Sequence, residues 1–447
     1  MIVLQAAPSQ ASSYEDARPL AAAPARVHQP GMRIPAERLR CAMLWLVGAS
    51  GAIVFIEPSP YELLTFGSMI LFAIGGLAMS RTVLPMIVLL VLVNVGYSIG
   101  GATVIDDPPV TAWLITSWYL AFTAMFFAVI LSDNTEDRLK AITAGCVAGG
   151  VIASAAAIFG YSRLVGSLDE LLLLYDRARG TFKDPNVLGA FLIFPALLCL
   201  QMVISDGFKR AAKGAAIFGL IAIAVLLSFS RAAWGQLAYT AIVMLALVMI
   251  TTRSPSQRFR IVTFSIVGVA VLAAGLMVLL SLDSVASLFK ERASLNQSYD
   301  VGAQGRFARH IMGAVLALDY PVGIGPIQFH KYFPEDTHNS FLNAFMSGGW
   351  LAGACYPALV FLTLGQGLRA TFARTPWQQT TITVFAGYFG VATESFIIDT
   401  DHWRHTFLLM GLMWGLIAAN RNYLKRRDQM AGAGPPANLT VIAGPAA

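Results

Sequence analysis

Arginine, histidine and carboxylate side chains gather in five short stretches of an otherwise apolar sequence. "RARGTFKDPNVLGAFL" (177–192) sets Arg177 and Arg179 ahead of a helix start, where Asp184 or Asn186 can cap and Pro185 fits the first turn. "LLSFSRAAWGQLAY" (226–239) is almost continuously apolar except at Ser228, Ser230 and Arg231. An ionisable residue at such a depth points to function, or to a helix-end arginine reaching water. "GRFARHIMGAVLALDYPVGIGPIQF" (305–329) carries Arg306, Arg309 and His310. "THNSFLNAFMSGGWLAG" (337–353) puts His338 just before a helix that Asn339 or Ser340 can cap. "ESFIIDTDHWRH" (394–405) has Glu394 inside an apolar run, then crowds Asp399, Asp401, His402, Arg404 and His405 into a short turn. That turn reads as an internal salt-bridge cluster, and its spacing matches no metal signature. Fixed arginines suit an anion, because guanidinium is bidentate and permanently charged. A histidine of ordinary pKa can accept a proton at neutral pH.

These stretches must be held by helices that cross a membrane. The chain has 447 residues, 56% apolar and 13% charged, and a mean hydropathy of +0.65. Soluble domains carry about 25% charged residues. A run of about 20 apolar residues spans a bilayer, and a β-barrel would show shorter alternating segments. Ordinary soluble enzymes, disordered chains, collagen-like chains and disulfide-stapled scaffolds are excluded. The sequence predicts an all-α polytopic integral membrane protein with about twelve transmembrane helices and one large periplasmic loop. Spans are expected at 41–56, 61–79, 83–100, 110–131, 141–161, 186–205, 214–230, 232–250, 261–282, 340–364, 377–398 and 403–420. Residues 1–40 read as a disordered cytoplasmic tail, 41–282 as a bundle of about nine helices, and 283–339 as the periplasmic loop. The last three helices then fill 340–420, and 421–447 form a second cytoplasmic tail. The first forty residues lack an apolar core behind a basic start, so no cleavable signal peptide is expected. Glycines within spans, as in "GCVAGGVIA" and "GGWLAGA", suit close helix approach. Cys41, Cys146, Cys199 and Cys355 lie far apart and read as small buried hydrophobes.

The net charge of +6 is explained by basic cytoplasmic loops rather than by nucleic acid. With a cytoplasmic N-terminus, 20 of the 31 Lys and Arg residues fall on cytoplasmic segments, and both termini are cytoplasmic. The other 11 are Arg163, Arg177, Arg179, Lys183, Arg231, Lys290, Arg292, Arg306, Arg309, Lys331 and Arg404. They lie on the outer side, against the usual bias. An anionic ligand bound there accounts for them.

Two outer segments are long, 162–185 and 283–339, and long connections in compact bundles are usually functional or disordered. The second contains an amphipathic helix at 306–319. Phe307, Ile311, Ala314, Val315 and Leu318 share one face, and Arg306, Arg309 and His310 share another. Pro321 ends this lid-like element. The chain has no Walker loop, GxSxG or HExxH motif. Its cytoplasmic loops leave no room for an ATPase. The short "SRT" loop after the second span has no counterpart of the longer basic loop of major-facilitator transporters.

In "RGTFKDPNVLGAFL", "SFSRAAWGQLA", "GRFARHIMGA…YPVGIGP" and "THNSFLNAFMSGGWLAG", and in their order, the chain resembles the O-antigen ligase and polymerase superfamily of bacterial membrane glycosyltransferases. The resemblance covers roughly 160–420. It implies a glycan carried on undecaprenyl diphosphate in the inner membrane, transferred on the periplasmic face to lipid A–core or to another glycan. No cofactor and no metal are implied. By motif match, Arg231 and Arg306 resemble the family's phosphate-binding arginines, with Arg179 a third, and His338 matches its "HN" histidine as general base. Arg309, Asn339, Asp184, Asn186 and Glu394 are candidate supporting residues. An apolar groove between helices would hold the polyprenyl chain, among membrane lipids, and helix 306–319 would close over the headgroup.

Three readings follow: a ligase acting on lipid A–core, a polymerase of O-antigen or exopolysaccharide repeats, and a lipid-linked sugar transporter or flippase. Transporters carry polar residues at mid-membrane and often show repeated halves. Here the polar residues lie at the outer surface and no repeat is visible, which favours an enzyme. The ligase is the preferred reading.

Overall fold

The computed structural model describes residues 30–56, 58–293 and 305–432. The expected tail before Pro30, the "SLNQSYDVGAQ" stretch (294–304) and residues 433–447 lie outside the described residues. The chain divides into two units, Met1–Leu39 and Arg40–Ala447. In the first, the described residues form the start of α1 (Pro30–Ser50). The last residues of the segment expected as tail are therefore helical.

The second unit continues through α2 (Pro60–Ile74), α3 (Leu84–Ala102), α4 (Pro108–Ile130), α5 (Thr135–Tyr161) and the short α6 (Asp169–Leu172). A two-stranded antiparallel hairpin follows, β1 (Leu173–Leu174) with β2 (Arg177–Ala178). Then come α7 (Pro185–Ser205), α8 (Phe208–Leu227), α9 (Arg231–Thr251), α10 (Pro255–Leu280), α11 (Asp283–Ala293), α12 (Arg306–Asp319), α13 (Ser340–Thr371), α14 (Gln378–Glu394) and α15 (Arg404–Gly432). Among the described residues, eight helices are long and apolar enough to cross a membrane, so the protein is an all-α polytopic membrane protein. Twelve spans were expected. Of the remainder, α2 and α14 have only 15 and 17 residues, and the last third of α15 is charged.

Starts and stops follow local chemistry. Asp184, Ser230, Ser254 and Asn339 each cap the following helix with a side-chain oxygen, and Pro185 and Pro255 occupy first turns. Helices α7, α14 and the first half of α15 are buried almost all round, whereas α10 is exposed along nearly its whole length. Close approach comes from small residues. A Cβ on Gly145 of α5 would stand 2.2 Å from the Trp45 carbonyl of α1, as the "GCVAGGVIA" reading requires.

Two motifs of the sequence interlock. Helix α13 breaks at Gly348–Gly349, where Gly349 has φ +62 and a Cβ would collide with the Pro321 carbonyl at 2.2 Å. The "YPVGIGP" segment enters this break. Trp350 N donates to Pro321 O (2.9 Å), and Ile324 N donates to Met346 O (2.7 Å).

Hydrogen bonds then tie the connections expected on the outer side into one end of the bundle. Val54 N donates to Thr181 O (3.0 Å), Arg177 Nε to Ser228 O (2.8 Å), and Ser340 N to Ser395 O (2.9 Å). Arg404 at the start of α15 pairs with Glu62 of α2.

Candidate functional site

At this end, α12 begins with Arg306, behind Gly305 and with no acidic residue in its first turn. Its bounds are those expected from the sequence. Its apolar stripe does not face the protein: Phe307, Ile311, Val315 and Leu318 are exposed, while Arg309, Gly313 and Ala317 are buried. Lipid rather than protein can cover such a stripe at a membrane boundary. The basic face grips neighbouring backbone carbonyls and one carboxylate. Arg306 Nη1 donates to Ile397 O (3.2 Å), Arg309 Nη2 to Glu335 Oε2 (2.5 Å), and His310 Nε2 lies 2.9 Å from Thr337 O. Arg309 and His310 thus fasten α12 to the loop that carries His338, while Arg306 reaches the connection after α14.

His338 has φ +46, a left-handed conformation that a non-glycine residue holds only when its surroundings impose it. Asp399 imposes it from the far turn. Its Oδ2 accepts from His338 N (3.0 Å), and its Oδ1 accepts from Asn339 N (2.9 Å) and Thr337 Oγ1 (2.7 Å). A carboxylate at the N-terminus of α13 also meets the positive end of the helix dipole. Asn339 caps that helix by accepting from Leu342 N (3.0 Å). The His338 ring itself is 32% exposed, 4.0 Å from Glu335 Oε2 and 3.9 Å from Asp399 Oδ2, beyond hydrogen-bond distance of both. Burial, and then the Arg306 charge, hold its pKa below the ordinary 6.5, so the ring is neutral at pH 7. Burial, and then the neighbouring Asp401, push the Asp399 carboxyl up to about 7, against the pull of its three hydrogen bonds.

A second cluster is built around Arg177. Its Nε donates to Ser228 O (2.8 Å) and its Nη2 to Asn186 Oδ1 (2.7 Å), so the hairpin holds both the start of α7 and the α8–α9 turn. That turn is tight, with Phe229 at φ +48, and it delivers Arg231 as the first residue of α9. Again the first helical turn has no acid. Asp184 accepts from Asn186 N (2.6 Å), the capping role expected of it. Arg179 turns to carbonyls of its own loop, at Glu170 (2.5 Å), Leu171 (3.3 Å) and Lys183 (3.3 Å). A cavity of about 160 Å³ separates Lys183 and Asp184 from His402, Trp403, Arg404 and His405.

The structure therefore brings Arg306, Arg309, Asn339 and His338 together. It places Arg231, Asp184 and Asn186 around Arg177. Glu394 ends α14 buried, and among the described residues neither carboxylate oxygen has a partner within hydrogen-bond geometry. Its carbonyl starts the turn to Asp399 by accepting from Ile397 N (2.9 Å) and Ile398 N (3.1 Å). Sequence reasoning missed Asp399 as the anchor of the His338 loop, Glu335 as the partner of Arg309, and Arg177 as the buried arginine of its pair. Burial is the one trait separating Arg177 from Arg179, and it has no local signature. Asp399 lies 60 residues from the nitrogen it binds, too far for any spacing rule.

Residues 216–356 match a protein-family model described as O-antigen ligase. That stretch, about a third of the chain, is similar to the O-antigen ligase family. No curated protein matches the chain. The matched segment contains Arg231, Arg306, Arg309, His338 and Asn339. Arg177, Glu394 and the Asp399 turn fall outside it, so the part of the chain that matches the family is locked in place by parts that do not.

Proposed function

We propose that this protein transfers a glycan from undecaprenyl diphosphate to an acceptor hydroxyl on the periplasmic face of the bacterial inner membrane, with lipid A–core as the acceptor. One observation carries the reading. Two helices of the O-antigen ligase segment begin on arginine with no acid in the first turn, Arg231 in α9 and Arg306 in α12. A cation there is opposed by the helix dipole, at a cost of about 0.3–1 kcal/mol. An anion bound at those helix starts reverses the sign of that interaction.

In the proposed reaction, the His338 imidazole takes the proton of the acceptor hydroxyl. The acceptor oxygen forms a bond to the anomeric carbon, and the bond from that carbon to the phosphate oxygen breaks. The electron pair leaves with the polyprenyl diphosphate, whose growing charge Arg231 and Arg306 stabilise, with Arg179 a third donor from the hairpin. Arg309, Asn339, Asp184 and Asn186 support these groups, and no metal or other cofactor has a step. The exposed stripe of α12 rests against hydrocarbon of the carrier or the leaflet. Both termini are cytoplasmic in this arrangement.

Glycan analysis of a deletion strain tests the reading. Loss of a ligase leaves carrier-linked polymer beside bare lipid A–core, loss of a polymerase leaves single repeat units, and unchanged glycans contradict both.

A further inference from the structure

Beneath the His338 loop lies a second cavity of about 240 Å³, with Trp113, Asn343, Asp336, Asp399, Asp401 and His402 among its lining residues. Asp401 is 2% exposed. Its Oδ2 accepts from Asn343 Nδ2 (2.8 Å), but its Oδ1 has no hydrogen-bond partner among the described residues. The His402 ring places Nδ1 3.4 Å from Asp401 Oδ2 and leaves Nε2 buried, also without a partner among the described residues. With the proton on Nδ1, Nε2 is an acceptor. Two buried acceptors thus wait for donors, and buried polar atoms of this kind call for a partner. One wall is aromatic: Trp113 and His402 lie with ring centroids 3.9 Å apart and planes at 31°.

We infer that this cavity is the acceptor-sugar subsite, taking an uncharged, hydroxyl-rich ring whose hydroxyls donate to Asp401 Oδ1 and His402 Nε2 while its apolar face lies on the Trp113–His402 wall. The inference rests on the proposed glycan transfer and names which substrate enters where. Sugar hydroxyls supply donors in pairs, and a hydroxyl donating to a carboxylate makes one of the stronger neutral-to-charged hydrogen bonds. An aromatic wall with a few convergent polar groups is the usual make-up of a small-ligand site. The lining has three aspartates and neither lysine nor arginine, so a diphosphate is repelled from it. A metal ion is the poorer occupant, because among the described residues no three His, Cys, Asp or Glu side chains converge as ligands. The location suits an acceptor: Asp399 is in the cavity lining, and its carboxyl oxygens hold the His338 loop. A sugar seated here presents a hydroxyl beside the proposed base.

The test uses the full-length protein in nanodiscs and two probes, delipidated lipid A–core oligosaccharide and free repeat-unit oligosaccharide. Calorimetric titration without donor should show wild type binding one of them. Asp401→Asn, nearly the same shape, and Trp113→Ala should each weaken that binding at least tenfold. In transfer assays both should raise the acceptor KM by a similar factor and leave the donor KM unchanged. Failure of wild type to bind either probe, or Asp401→Asn binding like wild type, overturns the subsite. Transfer with an unmoved acceptor KM overturns it too while leaving the reaction standing. Binding lost in both variants with no transfer by wild type removes the reaction and keeps the sugar site.

Discussion

The basic helix starts and the acidic pocket use charge in opposite ways. Arg231 and Arg306 begin α9 and α12, where a positive side chain opposes the helix dipole. Asp399 meets the start of α13, where a negative one is favoured, and it collects three hydrogen bonds there. The first arrangement is opposed by the helix dipole, and on the proposed reading a bound anion reverses that interaction. The second collects hydrogen bonds against the cost of burying the carboxyl group, and holds His338 at its left-handed φ. On the proposed reading, charge placed against the helix binds the substrate and charge placed with it positions the loop.

The largest effect separates the base from both regions. His338→Ala should lower turnover by roughly 10²- to 10⁴-fold and leave the protein folded, as judged by detergent-solubilised melting. A variant with normal turnover, or a loss seen instead in His402→Ala or His405→Ala, moves the base to the last turn. The same residue sets the acid side of the pH profile. Its pKa is depressed, so the neutral, proton-accepting form persists below pH 6.5 and is lost only as pH falls further. The acid limb of turnover should therefore have its midpoint below 6.5. Since Arg306 contributes to the depression, the residual activity of Arg306→Gln should show that limb shifted upward. A limb that does not move separates Arg306 from the base.

The arginines come next. Arg231→Ala and Arg306→Ala should each cost about a hundredfold in turnover, corresponding to roughly 3 kcal/mol for a lost donor at a leaving group. Lysine at either position should restore little, because it lacks the bidentate fork. Near wild-type transfer by a folded Arg231→Ala would place that arginine with the structural charges instead.

Much of this was legible in the sequence, and the missing part has a common cause. Helix α12 was readable to its ends because its 3.6-residue period, Gly305 before it and Pro321 after it are all local signals. Arg231 stood out as a polar residue in an apolar run, whereas Arg306 and His338 came from the match of their motifs to the family. The side that α12 turns to the protein was not readable. Its amphipathic pattern is the same whether protein or lipid covers the stripe, and only the contacts at Gly313 and Arg309 decide. Asp399 was grouped with its neighbours in the turn, and the last turn was expected to be an internal salt-bridge cluster. In the structure Arg404 pairs outside the turn, with Glu62 of α2, and Asp399 reaches the His338 loop.

The positioning role of Asp399 gives an intermediate effect. Asp399→Asn turns a donor toward a backbone N–H and loses hydrogen bonds to a charged acceptor, about 1.5–3 kcal/mol each. A drop of roughly tenfold or more in kcat, with both KM values little changed and a lower melting temperature, is expected. Unchanged kcat and melting would show that the loop holds without it. The smallest effect contrasts the two hairpin arginines. Arg177→Ala should lower the melting temperature, since it leaves the buried Ser228 carbonyl and Asn186 without their donor. Arg179→Ala, whose guanidinium lies on the surface, should change stability by less than about 0.5 kcal/mol and transfer only mildly. A reversed order would make Arg179 the more important of the two.

The most direct measurement reconstitutes the purified protein in liposomes with an undecaprenyl-diphosphate-linked glycan and lipid A–core, and follows both products. The account predicts glycan on lipid A–core in step with free undecaprenyl diphosphate, abolished by His338→Ala. Intact donor moved across the bilayer, with no glycan transferred to any acceptor, would contradict it.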